Sequence, residues 1–175
     1  MITKKIFTIA VLGFALFTGV YCSAQKASKN VVEVAVGSKD HTTLVAAVKA
    51  AGLVETLSGK GPFTVFAPTN EAFNKLPKGT VESLLEPAQL KTLQSILTYH
   101  VVAGKLDSKA VVQAIKAGKG KAVLTTVQGA KLTASLKGKN VIVTDEKGGV
   151  ATVTAADLDA TNGIIHVVDH VLMHK

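Results

Sequence analysis

The sequence predicts an α+β fold, with helices gathered in its first half and strands in its second, packed as a sheet or sandwich. Three observations predict it. Between residues 38 and 100 apolar residues recur at helical spacing, first at Leu44, Val45, Val48, Ala51 and Leu53, then at Leu90, Leu93, Ile96 and Leu97. From residue 101 the texture changes to short β-rich runs, VLTTV, AKLTASL, NVIVTD and GVATVTAADL, separated by glycine-bearing turns. The chain that remains after its leader, 151 residues, is the length of about one domain, and it contains no internal repeat or long linker.

In chain order, Lys4 and Lys5 precede the apolar stretch Ile6 to Val20 and a small-residue site. Residues 1–24 therefore read as a secretory signal peptide cleaved after Ala24, too short in its apolar run to span a bilayer. Cys22 could instead be lipid-modified, but the bulky Tyr21 before it places soluble export ahead of an anchor. Residues 25–29 form a polar leader, and 30–175 are the folded domain. Ser38 or Asp40 has helix-start chemistry for an amphipathic helix interrupted near Gly52. PFTVFAP then reads as a strand closed by Pro68, with Thr69 or Asn70 capping a short helix. Thr80 starts another turn, and Pro87 suits the first position of the helix AQLKTLQSILTYH. VVAGKL is extended and SKAVVQAIKAG is one more helix. Gly129, Gly138 to Asn140, Gly148 with Gly149, and Asn162 with Gly163 suit hairpin turns requiring positive φ. The expected sheet is largely antiparallel.

The formal charge is +8, falling to +6 without Lys4 and Lys5, and all twenty basic residues are lysine. Without arginine the chain lacks the planar fork that reads phosphates and guanine edges, which disfavours nucleic-acid recognition. Lysines 116, 119 and 121 in KAGKGK suit an acidic polysaccharide or anionic surface, although interspersed lysine usually serves solubility. Cys22 is the only cysteine, so the exported form has no disulfide and no thiolate ligand.

The C-terminal stretch GIIHVVDHVLMHK spaces His166, His170 and His174 four apart. On a helix that spacing is about 6 Å per step and would suit zinc. Ile164, Ile165, Val167, Val168 and Val171 argue for a strand instead, which separates the rings by about 13 Å. No metal site and no cofactor are expected. Neither a GxSxG elbow nor a phosphate loop is present, and Glu71, Asp145, Glu146, Asp157 and Asp159 read as solvated carboxylates beside turns. No catalytic residue is assigned, and the expected function is non-enzymatic.

Three motifs in register, TVFAPTNEAF at 64–73, Tyr99-His100 at a helix-to-strand junction, and NGIIHVVDHVL at 162–172, resemble a fasciclin domain, and the likeness extends over about residues 30 to 173. The resemblance implies a wedge of two β-sheets, about seven strands, with a cluster of helices mainly from the first half. It also implies a secreted or periplasmic module for cell adhesion or matrix interaction. Its partner would be a cell-surface or matrix protein or a polysaccharide; a matrix-structural or carbohydrate-binding role without cell attachment is the alternative. By the same resemblance Phe66, Pro68, Thr69, Asn70, Phe73, His166 and Asp169 hold the fold. Asp169 would accept hydrogen bonds from backbone or from the first motif. Tyr99 and His100 are the candidate binding pair, with burial at the junction as the competing reading. His170 and His174 are expected to be exposed or near the strand end, so that replacing His166 lowers stability and replacing His174 does little.

Overall fold

The structure, a computed structural model, describes residues 27–174. Asn30 and Glu33 set its first element. The Asn30 side chain accepts the Val32 and Glu33 N–H groups while the Glu33 carboxylate accepts from Asn30 N–H, a capping box that starts α1 (Val31–Val36). Helix thus begins earlier than Ser38 or Asp40, because reciprocal capping outweighs the weak helix propensity of a valine-rich run. Ser38 caps only a 3-10 turn, Lys39–His41, ahead of α2 (Thr42–Ala50). Gly52, at φ 68°, breaks the chain before α3 (Val54–Ser58).

β1 (Phe63–Pro68) runs through PFTVFAP as expected, followed by α4 (Asn70–Asn74) and α5 (Thr80–Leu84). Thr80 lies inside α5, whose cap is Gly79 at φ 83°. Pro87 opens a 3-10 turn, Pro87–Gln89, that leads into α6 (Leu90–Tyr99), so the helix proper starts three residues after the proline. β2 (Val101–Ala103) and α7 (Ser108–Ala117, capped by Asp107) come next. Then come β3 (Lys121–Thr125), β4 (Lys131–Lys137), β5 (Asn140–Thr144), β6 (Val150–Ala160) and β7 (Gly163–Val168).

The seven strands form one continuous order, β2-β1-β7-β6-β5-β4-β3. Every pairing is antiparallel except β1 with β7, which run parallel from Phe63 opposite Gly163 to Pro68 opposite Val168. The eleven-residue β6 pairs with β5 near its start and with β7 along the rest, with register shifts between Val153 and Leu158. Such irregularities bend a strand, and here they fold the sheet over at β6. Its two ends meet again, Val102 bridging to Thr126 and the Val127 N–H donating to the Val101 carbonyl at 2.9 Å. The result is a wedge with two cores. One, under α1, α2, α3 and α6, contains Val31, Leu44, Val48, Leu57, Leu97 and Ile165. The other, between the sheet halves and under α7, contains Phe66, Tyr99, Ile115, Leu132, Val143 and Val168. All six residues of β7 are buried, as a strand covered on both faces requires, which explains its unbroken β-branched run.

Gly129, Gly138 and Gly148 adopt the positive φ expected of their turns, at 89°, 66° and 88°. Gly163 does not. Glycine is needed there because a Cβ would collide with the Phe63 carbonyl oxygen across the parallel pair. The leader assigned to residues 1–24 and the lipid alternative at Cys22 lie outside the described residues. Among the described residues no helix is long and apolar enough to cross a membrane.

Candidate functional site

The two long motifs lie side by side because β1 and β7 pair. Phe66 stands opposite His166 with ring centroids 5.7 Å apart, and both rings are buried. His166 Nε2 donates to the Leu106 carbonyl at 2.8 Å and Nδ1 accepts from the Asp157 N–H at 3.4 Å, which ties β7 to the β2–α7 loop and to β6. Asp157, at φ 61°, receives the Ser108 N–H at 2.7 Å and the Ser108 hydroxyl on its other oxygen. Partial burial pushes that carboxyl up, but the Ser108 bonds, with His166 and Lys109 nearby, hold it below the usual carboxylate range.

Pro68 ends β1 and is buried. Thr69 is the cap of α4, its hydroxyl accepting the Ala72 N–H at 3.3 Å. Asn70 fastens the start of α2 instead. Its carbonyl oxygen accepts the Thr43 N–H and Thr42 hydroxyl at 3.0 and 3.1 Å, and its amide donates to the Lys39 carbonyl at 2.9 Å. Phe73 packs into the helix-side core. Asp169, just past β7, accepts the Thr152 N–H at 2.6 Å and bonds His170 Nδ1 at 2.9 Å, while Lys75 Nζ reaches the Asp169 carbonyl at 2.9 Å. Burial pushes its carboxyl up, and the His170 and Thr152 bonds with the charges of His170 and Lys75 bring it below the usual range.

Tyr99 and His100 point inward. Tyr99 is fully buried; its hydroxyl donates to the Lys131 carbonyl at 3.0 Å and accepts the Glu146 N–H at 3.1 Å. Burial pushes the phenol up. His100 Nδ1 donates to the Ile96 carbonyl at 2.7 Å and Nε2 accepts the Leu172 N–H at 2.9 Å. Burial lowers this imidazole to about 4, against the opposing pull of the Ile96 carbonyl and Asp145. The candidate binding pair therefore offers no side-chain surface in this conformation, since both rings are spent joining α6 and β2 to the sheet and the C-terminal segment.

His170 is exposed on Asp169. His174, expected to be exposed or near the strand end, lies past β7 and is half-buried, its ring edge-on to Tyr99 with centroids 5.8 Å apart. Among the described residues no three His, Cys, Asp or Glu side chains converge to hold a metal ion.

Two residues outside the expected set are also central to this network. Asn162 accepts the Val31 N–H at 3.0 Å and donates to the Leu57 and Gly59 carbonyls at 2.8 and 2.9 Å, fastening α1 and α3 to the start of β7. Asp145, expected to be solvated, is buried and accepts the Lys147, Gly149 and Met173 N–H groups. The signal available for Asp145 was its place three residues before Gly148-Gly149, where a side-chain oxygen closes the turn. Chemically, the whole arrangement satisfies backbone groups and holds strands in register.

Residues 39–174 match the Fasciclin domain family. The chain is 49% identical over 151 residues to protein sll1483 of Synechocystis sp., covering 86% of this chain and 77% of that protein. It is 43% identical over 142 residues to transforming growth factor-beta-induced protein ig-h3 of Sus scrofa, covering 81% of this chain but 19% of the relative. The fold superimposes on the fasciclin domain pair of the insect cell adhesion molecule Fasciclin I with a TM-score of 0.66 at 20% identity, across 84% of this chain and 51% of the other. The match spanning most of the domain, together with the paired motifs at its centre, makes the chain a member of the fasciclin family.

Proposed function

We propose that the protein is a non-enzymatic adhesion or matrix-interaction module, secreted or periplasmic, that binds a cell-surface or matrix protein or a polysaccharide. The observation that carries this reading is the inward commitment of the motif side chains. Tyr99, His100, His166 and Asn162 are bonded to their own chain's backbone, which leaves recognition to exposed loops and lysine-bearing turns. The cell adhesion role named for Fasciclin I supports the same class. In this reading residues 1–24 direct export and are removed, 30–175 form the module, and Tyr99 and His100 contribute by shaping the surface from beneath. A matrix role without cell attachment is favoured by the lysines on the turns and differs in one observable. Surfaces coated with residues 25–175 should retain cells of the producing organism several-fold over an albumin coat. Retention no better than albumin, with the purified protein still bound to isolated matrix, would establish the matrix role instead.

A further inference from the structure

The lysines are not evenly spread. From residue 108 to 144 the chain carries seven lysines and no aspartate or glutamate. The topology brings five of them, Lys116, Lys119, Lys121, Lys137 and Lys139, to one end of the β3–β4–β5 sheet. Lys116 and Lys119 lie where α7 ends and turns into β3. Lys121 opens β3 opposite Ser135, and Lys137 is two residues further along β4, diagonal to Lys121 at about 7 Å. Lys137 pairs with Asn140 across the turn that holds Lys139. All five are exposed, and none is in an ion pair among the described residues. The opposite end of this face is different, because Glu146 sits at Lys131.

Two further features distinguish this end from an ordinary solvated surface. Lys119 sits between Gly118 and Gly120 at φ 55°, a left-handed conformation that glycine or asparagine would occupy with less strain, so a lysine is held where the backbone disfavours it. The outward face begins at Asn140, beside Lys137, and runs away from the lysines through Ser135, Thr133 and Thr144, with Val123 and Ile142 among them, because Ala122, Leu124, Leu132, Ala134 and Val143 take the inward positions. A cationic end leading onto hydroxyl groups interleaved with the apolar Val123 and Ile142 offers charge to carboxylates, hydrogen bonds to sugar hydroxyls and apolar contact to the C–H faces of sugar rings.

We propose that this end of the β3–β4–β5 face is a binding surface for a carboxylated polysaccharide, with Lys119, Lys121, Lys137 and Lys139 meeting the uronate carboxylates. Nucleic acid fits less well, because lysine is a point charge without arginine's bidentate fork. The assignment rests on the polysaccharide branch of the function proposed above. Its test uses purified polymer without cells, so failure of adhesion and failure of this site are read separately.

Binding of polygalacturonate oligomers by residues 25–175 is measured by calorimetry at low and near-physiological salt. The comparison is between a patch variant (Lys119→Gly, Lys121→Ser, Lys137→Ser, Lys139→Ser) and a control of equal charge (Lys49→Ser, Lys60→Ser, Lys78→Ser, Lys91→Ser). The patch variant should bind at least about tenfold more weakly and the control within about twofold of the parent, with affinity falling as salt rises. NMR shift mapping on the unsubstituted protein, which does not depend on the variants folding, should confine the perturbed amides to residues 116–121 and 133–144. The site is overturned by equal weakening in both variants, by perturbations elsewhere, by no binding at low salt, or by duplex DNA or anionic phospholipid vesicles binding as tightly.

Discussion

His100 couples the fold to pH through a single buried ring. Its Nδ1 proton goes to the Ile96 carbonyl and its Nε2 lone pair takes the Leu172 N–H, so protonation of Nε2 would break the second bond and bury a charge. With a folded value of about 4 against an ordinary 6.5, the unfolded chain binds the proton more readily between those limits. Stability contributed by the neutral ring is therefore complete above pH 6.5 and lost as pH falls toward 4, by about 3 kcal/mol. His41, also lowered by burial against the pull of Asp40, adds to the loss in the same direction. Asp157 and Asp169, held below their ordinary values, release their stabilisation only as pH falls below the carboxylate range, which separates the two windows. Urea unfolding of His100→Phe across pH 4 to 7 should show a flatter slope between 6.5 and 4. It should also show a loss of about 1–3 kcal/mol at pH 7, because the Leu172 N–H is left unpaired. An unchanged slope would assign the acid sensitivity to other groups.

At the scale of elements, what the sequence made legible follows local chemistry. Thr69 after Pro68, Asp107 ahead of α7 and the Leu-Ile stripe of α6 are recognisable because cap and periodicity act within a few residues. The parallel β1–β7 pair and the placement of Asn162 were not legible, since the partners of Asn162 lie 103 to 131 residues away. Nor was α1, where β-branched content masked the Asn30–Glu33 box. The glycines divide along the same line. Gly129→Ala, at a turn with open space around it, should cost about 1 kcal/mol for its positive φ alone. Gly163→Ala forces a methyl against the Phe63 carbonyl inside the parallel β1–β7 pair, and a loss of about 3 kcal/mol or more is expected. Equal midpoints for the two variants in thermal melts would contradict the close approach as the reason for Gly163.

For the whole molecule, the sheet order puts the last strand inside the sheet, third of seven, with β7 flanked by β1 and β6 and its two ends tied to opposite ends of the described chain. At its start Asn162 and Thr161 hold Val31 and Lys29; past its end His100 and Asp145 hold Leu172 and Met173. The segregation of lysine to the β3–β4–β5 end leaves this central tie chemically distinct from the charged surface. Composition alone yields the total charge, but the gathering of lysines at one end depends on which strands become neighbours. Asn162→Ala, which removes three backbone partners at once, should lower stability by about 2–3 kcal/mol in urea unfolding. The same geometry bears on mechanics. A pull between the two ends of the domain runs lengthwise along β7, so its hydrogen bonds to β1 and β6 are loaded together in shear instead of opening one after another like a zipper. Stretched singly, the domain should resist until the Asn162 tie yields, and Asn162→Ala should lower the peak unfolding force while leaving the strand ladder intact.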